Sequence, residues 1–222
     1  MKPLLIPTAL VLSLVPVRGD FVIEQKVDGL GQQSGSIVVK IKDTKTRAEI
    51  APQISYIMDG TTGESLTLMH AQKGCMRVSA EQGRALMEKM RKVEGAGGPP
   101  AKPVPSGLKE KVEQWDAEVF TWSGGSLVVK YWVARDFPNA AAIQAAMDKA
   151  QAGGIGALSK SLLPANSDFP GMVVKTEMKT KGKTVTSTIV SVKEEPVDAK
   201  EFEVPADYKE LPTPAFDAPA SK

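Results

Sequence analysis

The chain of 222 residues carries 28 basic and 26 acidic side chains, a formal net charge of +2, with one histidine and one cysteine. Residues 1–19 hold two of the basic side chains and no acidic one, so the remainder is neutral, which disfavours a nucleic-acid partner. A single cysteine excludes an internal disulfide. With only one histidine in addition, the chain has too few ligands for a typical zinc site. We therefore expect neither a metal nor a cofactor.

Residues 1–19 have the pattern of a secretory signal peptide. Lys2 is a short positive region, 4–15 is an apolar core, and small residues lead up to Gly19. The apolar stretch is shorter than the roughly 20 residues that a transmembrane helix needs. We expect cleavage near Gly19-Asp20, an exported mature chain without a transmembrane segment, and, since no cysteine follows the leader, no lipid anchor at the new N-terminus.

The first part of the mature chain alternates apolar and polar residues, which is the period of half-buried strands. Short turn-like connectors such as Asp59-Gly60 separate these segments, and short connectors favour an antiparallel meander over parallel strands. Strands are predicted over 21–28, 36–42, 46–50, 54–59, 65–70 and 75–78.

A helix is predicted from Ser79 to about Lys92, because Ser79 and Gln82 have the spacing of a capping box. Residues 94–107 are rich in glycine and proline and predict a flexible linker within the domain. Further strands are predicted over 109–114, 115–122 and 126–135.

An alanine-rich helix is predicted over 139–151, opened by Asp136-Phe-Pro138 and ended by Gly153-Gly154. A short helix over 155–163 and two long strands over 172–180 and 184–192 follow. We expect one domain over residues 20–210 and a disordered proline-rich tail over 211–222.

Several predicted strands are apolar on both faces, as in 37–39, 127–129 and 131–133. A sheet with one face in water would alternate more strictly. The sequence therefore predicts a mostly β (α+β) fold, a curved antiparallel sheet or open half-barrel whose concave face is covered by helices.

The chain offers little chemistry for catalysis. His70 and Cys75 lie five residues apart across a turn, and histidine beside cysteine could generate a thiolate. Because no third group is placed to orient the pair, a surface histidine and a packed free cysteine are the favoured interpretation. We expect no catalytic residue and predict that the protein is not an enzyme.

Six segments together resemble an uncharacterised family of exported bacterial proteins, domain of unknown function 4412, over about residues 20–210. They are KTRAE (45–49), YIMD (56–59), LMHAQK (68–73), EVFTW (118–122), YWVARDFP (131–138) and FEVPADY (202–208). That family looks like the LolA, LolB and RseB group of lipoprotein carriers and sensors. The resemblance implies a LolA-like fold with an apolar cavity and a periplasmic location, and it carries over no functional residue.

Two functions remain open at this point. The first is a non-enzymatic envelope protein that binds an apolar ligand, such as an acyl chain, a lipid or a lipoprotein, between sheet and helices. The second is a protein-interaction or sensor module of the cell envelope with no ligand cavity. The apolar residues predicted to line a ligand site are Ile37, Val39, Trp122, Val129, Trp132, Ile143, Met147 and Leu158.

Overall fold

The structure, a computed structural model, describes residues 19–29, 35–94, 101–124, 127–153, 163–180 and 182–212. Within these ranges the chain forms twelve strands and two α-helices. The strands are β1 (Phe21–Asp28), β2 (Gly35–Lys42), β3 (Lys45–Ala51), β4 (Ile54–Asp59), β5 (Ser65–Met69), β6 (Gly74–Val78), β7 (Val104–Val112), β8 (Trp115–Gly124), β9 (Leu127–Ala134), β10 (Met172–Thr180), β11 (Lys183–Glu194) and β12 (Lys209–Leu211), and the helices are α1 (Ala80–Glu94) and α2 (Ala140–Ala150).

All twelve strands belong to one open sheet in the order β12-β6-β5-β4-β3-β2-β1-β11-β10-β9-β8-β7. The N-terminal half is the predicted antiparallel meander, and β1 pairs on its other side with β11, which joins the C-terminal half. The sheet is not wholly antiparallel, because β12 pairs in parallel with β6. The predicted class, a mostly β open sheet with helical cover, is confirmed.

Helix α2 covers one face of the sheet near its middle. Its buried residues Ile143 and Ala150 belong to a cluster that includes Phe21 and Ile23 of β1. The end of α2 lies directly against the β4–β5 turn, where a side chain on Gly60 would collide with the backbone of the helix. Glycine at position 60 therefore permits this close approach between the turn and the helix.

The opposite face is covered by the strap, a name we use for residues 195–211. Val197 and Phe202 of the strap are buried against apolar residues of β4, β5 and β6, including Leu68 and Cys75. The strap ends as β12, which covers the edge of β6. Helix α2 and the strap therefore pack on opposite faces of the β1–β6 meander, α2 over β1 to β3 and the strap over β4 to β6.

A buried carboxylate connects the start of β1 to the strap. Asp20 is 2% exposed, accepts a hydrogen bond from Lys42 Nζ at 2.7 Å and accepts another from the Val197 backbone N–H at 3.1 Å. Its charge is therefore paired, as a buried charge must be. This contact fixes the path of the strap where it leaves β11.

Some predicted boundaries differ from the structure. Strand β7 begins at Val104, inside the predicted 94–107 linker, and Leu211 belongs to β12 instead of the predicted tail. The predicted helix over 155–163 lies outside the described residues except for Leu163. Linker residues 95–100 lie wholly outside them. The capping box is confirmed, because the Ser79 N–H donates to Gln82 Oε1 and the Gln82 N–H donates to Ser79 Oγ.

We predict that Phe202→Ala lowers the free energy of unfolding by about 3 kcal/mol, because it removes a buried ring of the strap and leaves a cavity. Urea denaturation measures the change. Leu108→Ala serves as the control, since Leu108 is 58% exposed and its loss should change stability by less than about 0.5 kcal/mol. Equal effects of the two substitutions would show that the strap contributes nothing to the core.

Candidate functional site

A cavity of about 290 Å³ lies between α2, residues 163–169 and strands β1, β9, β10 and β11. Ile23 and Ile189 lie on its floor, together with Val174 of β10. Met147 from α2 and Phe169 line the cavity from above the sheet. It is one of several cavities in the described structure.

The floor of the cavity is apolar at one end. Ile23 and Val174 have no solvent exposure, and Ile189 and Met172 are also buried. Strand β10 has a register shift between Val173 and Lys175. At this bulge, the two consecutive valines Val173 and Val174 lie opposite one residue of β9. This irregularity places extra apolar surface along the cavity.

A row of polar side chains crosses the floor beside the apolar end, and we call it the hydroxyl row. Thr176 of β10 lies directly opposite both Tyr131 of β9 and Ser187 of β11, so the three side chains share one face of the sheet. Ser187 Oγ donates to Gln25 Oε1 of β1 at 3.1 Å. All four residues line the cavity.

Tyr131 is the most deeply placed member of the hydroxyl row. It is 7% exposed, and its ring packs against Phe169 with ring centroids 4.8 Å apart. Burial disfavours the phenolate and raises the pKa of Tyr131 to about 12. Tyr131 thus presents a neutral O–H group at neutral pH.

The charged side chains around the cavity interact with other protein groups. The Lys175 ammonium lies 4.2 Å from the centroid of the Trp132 ring, a cation–π geometry. Asp148 of α2 accepts a hydrogen bond from Asn166 Nδ2 at 3.5 Å. Because strand neighbours alternate between faces, Lys175 belongs to the face opposite Thr176. Lys175 and Asp148 are the charged side chains among the described residues that line the cavity, beside the hydroxyl and amide groups of the hydroxyl row.

The residues predicted from the sequence to bind a ligand fall in different environments. Among those that the structure describes, Met147 alone lines this cavity, and Leu158 lies outside the described residues. Val39, Trp132 and Ile143 pack in the apolar cluster that includes α2. Trp122 and Val129 pack in a separate cluster with Phe169. Ile37 lies half-buried on β2.

Sequence reasoning missed most of the cavity wall. The wall comes from β10, β11 and residues 163–169, where the pattern shows strands and a loop but not which face is covered. The signal that could have found it is the pair Met172 and Met178, since both line the cavity and methionine suits irregular apolar sites.

A second polar cluster lies under the strap on the other face. Ser55 Oγ and His70 Nε2 are 2.7 Å apart, His70 Nδ1 and the Tyr208 hydroxyl are 2.6 Å apart, and Arg47 donates to Ser55 at 3.0 Å. Arg47 also donates to the Glu201 carbonyl at 2.8 Å. The serine and histidine are arranged like a nucleophile with its base, but Ser55 is 1% exposed beneath the strap. The cluster holds the strap against the sheet.

Cys75 is a buried free cysteine. It is 3% exposed beneath the strap, and burial raises the pKa of its thiol, which disfavours the reactive thiolate. Within the described ranges, no group of three or more histidine, cysteine, aspartate or glutamate side chains is arranged to hold a metal ion. No helix in the same ranges is long and apolar enough to cross a membrane.

We predict that the wild type loses stability above about pH 10 more steeply than Tyr131→Phe. The folded state holds the Tyr131 proton up to about pH 12, whereas the unfolded state releases it near its ordinary pKa of 10.0. The contribution is therefore complete below pH 10 and is lost as pH rises toward 12. Between about pH 9 and about pH 11 the extra loss should be about 1 kcal/mol in urea denaturation. Equal losses in both proteins would contradict the burial of this phenol.

Comparisons with solved structures give distant likenesses. PNGF-II matches with a TM-score of 0.42 and 12% identity over 87% of this chain, which spans 31% of the PNGF-II chain. The lipoprotein LppX of Mycobacterium tuberculosis matches with a TM-score of 0.40 and 10% identity, covering 81% of this chain and 88% of LppX. LprF from Mycobacterium bovis matches with a TM-score of 0.36 and 12% identity, covering 87% and 92%.

A search of curated proteins finds no match. The family comparison is extensive, because residues 30–208 match one family, which is most of the chain. This range contains β2 to β11, α2 and most of the strap. The chain belongs to the family described as Domain of unknown function (DUF4412).

Proposed function

We propose that the chain is an exported, non-enzymatic envelope protein that binds an apolar ligand in the cavity beside α2. The observation that carries this proposal is the cavity itself, whose floor is formed by fully buried Ile23 and Val174 and whose wall includes Met147. The signal-peptide pattern of residues 1–19 supports export.

The size of the cavity indicates a small ligand or one hydrocarbon chain. Its 290 Å³ is close to the lower end of small-molecule sites, about 300 Å³. At roughly 30 Å³ for each water-sized group, the volume holds about ten such groups. A lipid or lipoprotein would therefore place one acyl chain, or part of one, in the described cavity.

The expected affinity follows from the same count. Burying about ten methylene groups gains about 8 kcal/mol, and the loss of ligand mobility offsets at least about 4 kcal/mol of it. The net gain of at most about 4 kcal/mol corresponds to a dissociation constant of about 1 mM or weaker. Titrations should cover this range.

The position of the reactive residues supports binding over catalysis. His70 and Cys75 lie under the strap, on the face opposite the cavity, and both are held in contacts with neighbouring residues. Asp148 is the carboxylate among the residues that line the cavity. General acid–base catalysis needs a proton acceptor near the reacting atom. In this cavity that acceptor would be Asp148, which already accepts a hydrogen bond from Asn166 Nδ2.

We predict that Met147→Trp weakens binding of the fluorescent apolar probe N-phenyl-1-naphthylamine by at least about tenfold, because the larger ring fills the cavity. Fluorescence titration measures the affinity, and circular dichroism checks that the variant is folded. Met147 is only partly buried, so its replacement is tolerated better than a change on the sheet floor.

Val128→Trp is the matched control. Val128 is 46% exposed on β9, so this substitution also introduces a tryptophan but places it outside the cavity. It should bind the probe as the wild type does. Unchanged binding in a folded Met147→Trp variant would contradict the proposed site. A wild type that takes up no probe would favour the alternative, an envelope interaction module without a ligand.

A further inference from the structure

The His70 side chain contacts the strap and the sheet through both of its ring nitrogens. Nε2 lies 2.7 Å from Ser55 Oγ on β4, and Nδ1 lies 2.6 Å from the Tyr208 hydroxyl of the strap. The rings of His70 and Tyr208 also meet edge to face, with centroids 5.9 Å apart. His70 therefore connects a buried serine of the meander directly to the strap.

The hydrogen bonds of Ser55 determine where the His70 proton lies. Arg47 Nη2 donates to Ser55 Oγ at 3.0 Å, and a guanidinium can only donate. Ser55 is 1% exposed, and within the described residues His70 Nε2 is the acceptor for its hydroxyl proton. Nε2 must therefore be unprotonated, and the proton of the neutral ring lies on Nδ1, from which it is donated to Tyr208.

A second proton on the ring is incompatible with this arrangement. With Nε2 protonated, the ring and Arg47 would both donate to Ser55 Oγ, and the Ser55 hydroxyl would lose its acceptor. A buried donor without a partner costs free energy. The closed strap therefore favours the neutral ring over the cation, so acid favours the open strap.

The carboxylates around this contact are already paired with cations. Asp207 of the strap accepts from Lys73 Nζ at 2.8 Å, and this hydrogen bond holds the pKa of Asp207 below its usual range. The remaining charged groups around the contact pair with one another across β2, β3 and the strap, and they are Lys40, Arg47, Glu49 and Glu201. A charged His70 ring would therefore find no unpaired carboxylate among the described residues that surround it.

Cys75 reports whether the strap is closed. It is 3% exposed and packs in the apolar cluster with Val197 and Phe202 of the strap. It is also the one cysteine of the chain, so a thiol reagent modifies a single known position. A buried thiol reacts from an open state, and the rate of its modification therefore measures the population of that state.

We propose that the strap opens in mildly acidic conditions, because protonation of His70 breaks the hydrogen bond that Ser55 donates to it. Opening uncovers the apolar surface of β4 to β6 and the edge of β6, which β12 covers at neutral pH. The inference is independent of the proposed function, because the strap lies on the face opposite the cavity.

The test follows the reaction of Cys75 with dithiodipyridine at about pH 7.5 and about pH 5.5, a range over which histidine side chains change charge. Each rate is divided by the rate of the urea-unfolded protein at the same pH, which removes the effect of pH on the thiol itself. We expect the normalised rate of the wild type to rise at least about fivefold on acidification. Circular dichroism should stay unchanged.

Two variants separate this mechanism from a general effect of acid. His70→Gln carries no charge at either pH, so its normalised rate should change by less than about twofold. Ser55→Ala removes the hydroxyl that requires a neutral ring, so its rise should be less than about half that of the wild type. Asp207→Asn is the matched control, because it removes a strap carboxylate beside Tyr208 and keeps the His70–Ser55 contact, and it should rise as the wild type does.

Three results would overturn the inference. A wild type with the same normalised rate at both pH values would show that acid does not open the strap. A His70→Gln variant that keeps the full rise would assign the effect to another group. Loss of the circular dichroism signal at the lower pH would show that the whole domain unfolds and that the strap does not open by itself.

Discussion

The fold depends on burying apolar residues on both faces of the open sheet. This requirement determines where α2 and the strap lie. Helix α2 packs on one face through Ile143, and the strap packs on the other through Phe202. Polar contacts also hold the strap. Asp20 accepts a hydrogen bond from the Val197 backbone N–H, and Arg47 donates one to the Glu201 carbonyl. The contacts are long-range in sequence, so the C-terminal segment completes a core begun by the first strands.

The cavity follows from the difference in size between sheet and helix. Twelve strands at about 4.8 Å spacing are about 53 Å wide, whereas an eleven-residue helix is about 16 Å long. α2 reaches over β2 and β3, and its residue Met147 borders a space above β10 and β11 that Phe169 lines from the far side. The cavity therefore lies beside the helix and is not enclosed by it.

Local sequence patterns predicted the meander, the start of α1 and the open mostly β class, because period and turn chemistry are local properties. The pairing of β1 with β11 and the path of the strap depend on contacts across more than 150 residues, such as Arg47 with Glu201. The residues predicted to bind a ligand share only their apolar character. Apolar character does not separate a packed residue such as Val129 from Met147, which lines a space.

Isotope labelling of methionine methyl groups, read by NMR during titration with N-phenyl-1-naphthylamine, tests the central claim most directly. Met147, Met172 and Met178 line the cavity, whereas Met69 and Met76 belong to β5 and β6 at the other end of the sheet. We predict that the first three signals shift in a saturable way and the last two do not. Binding that shifts Met69 and Met76 while leaving the cavity methionines unchanged would contradict the assignment of this cavity as the ligand site.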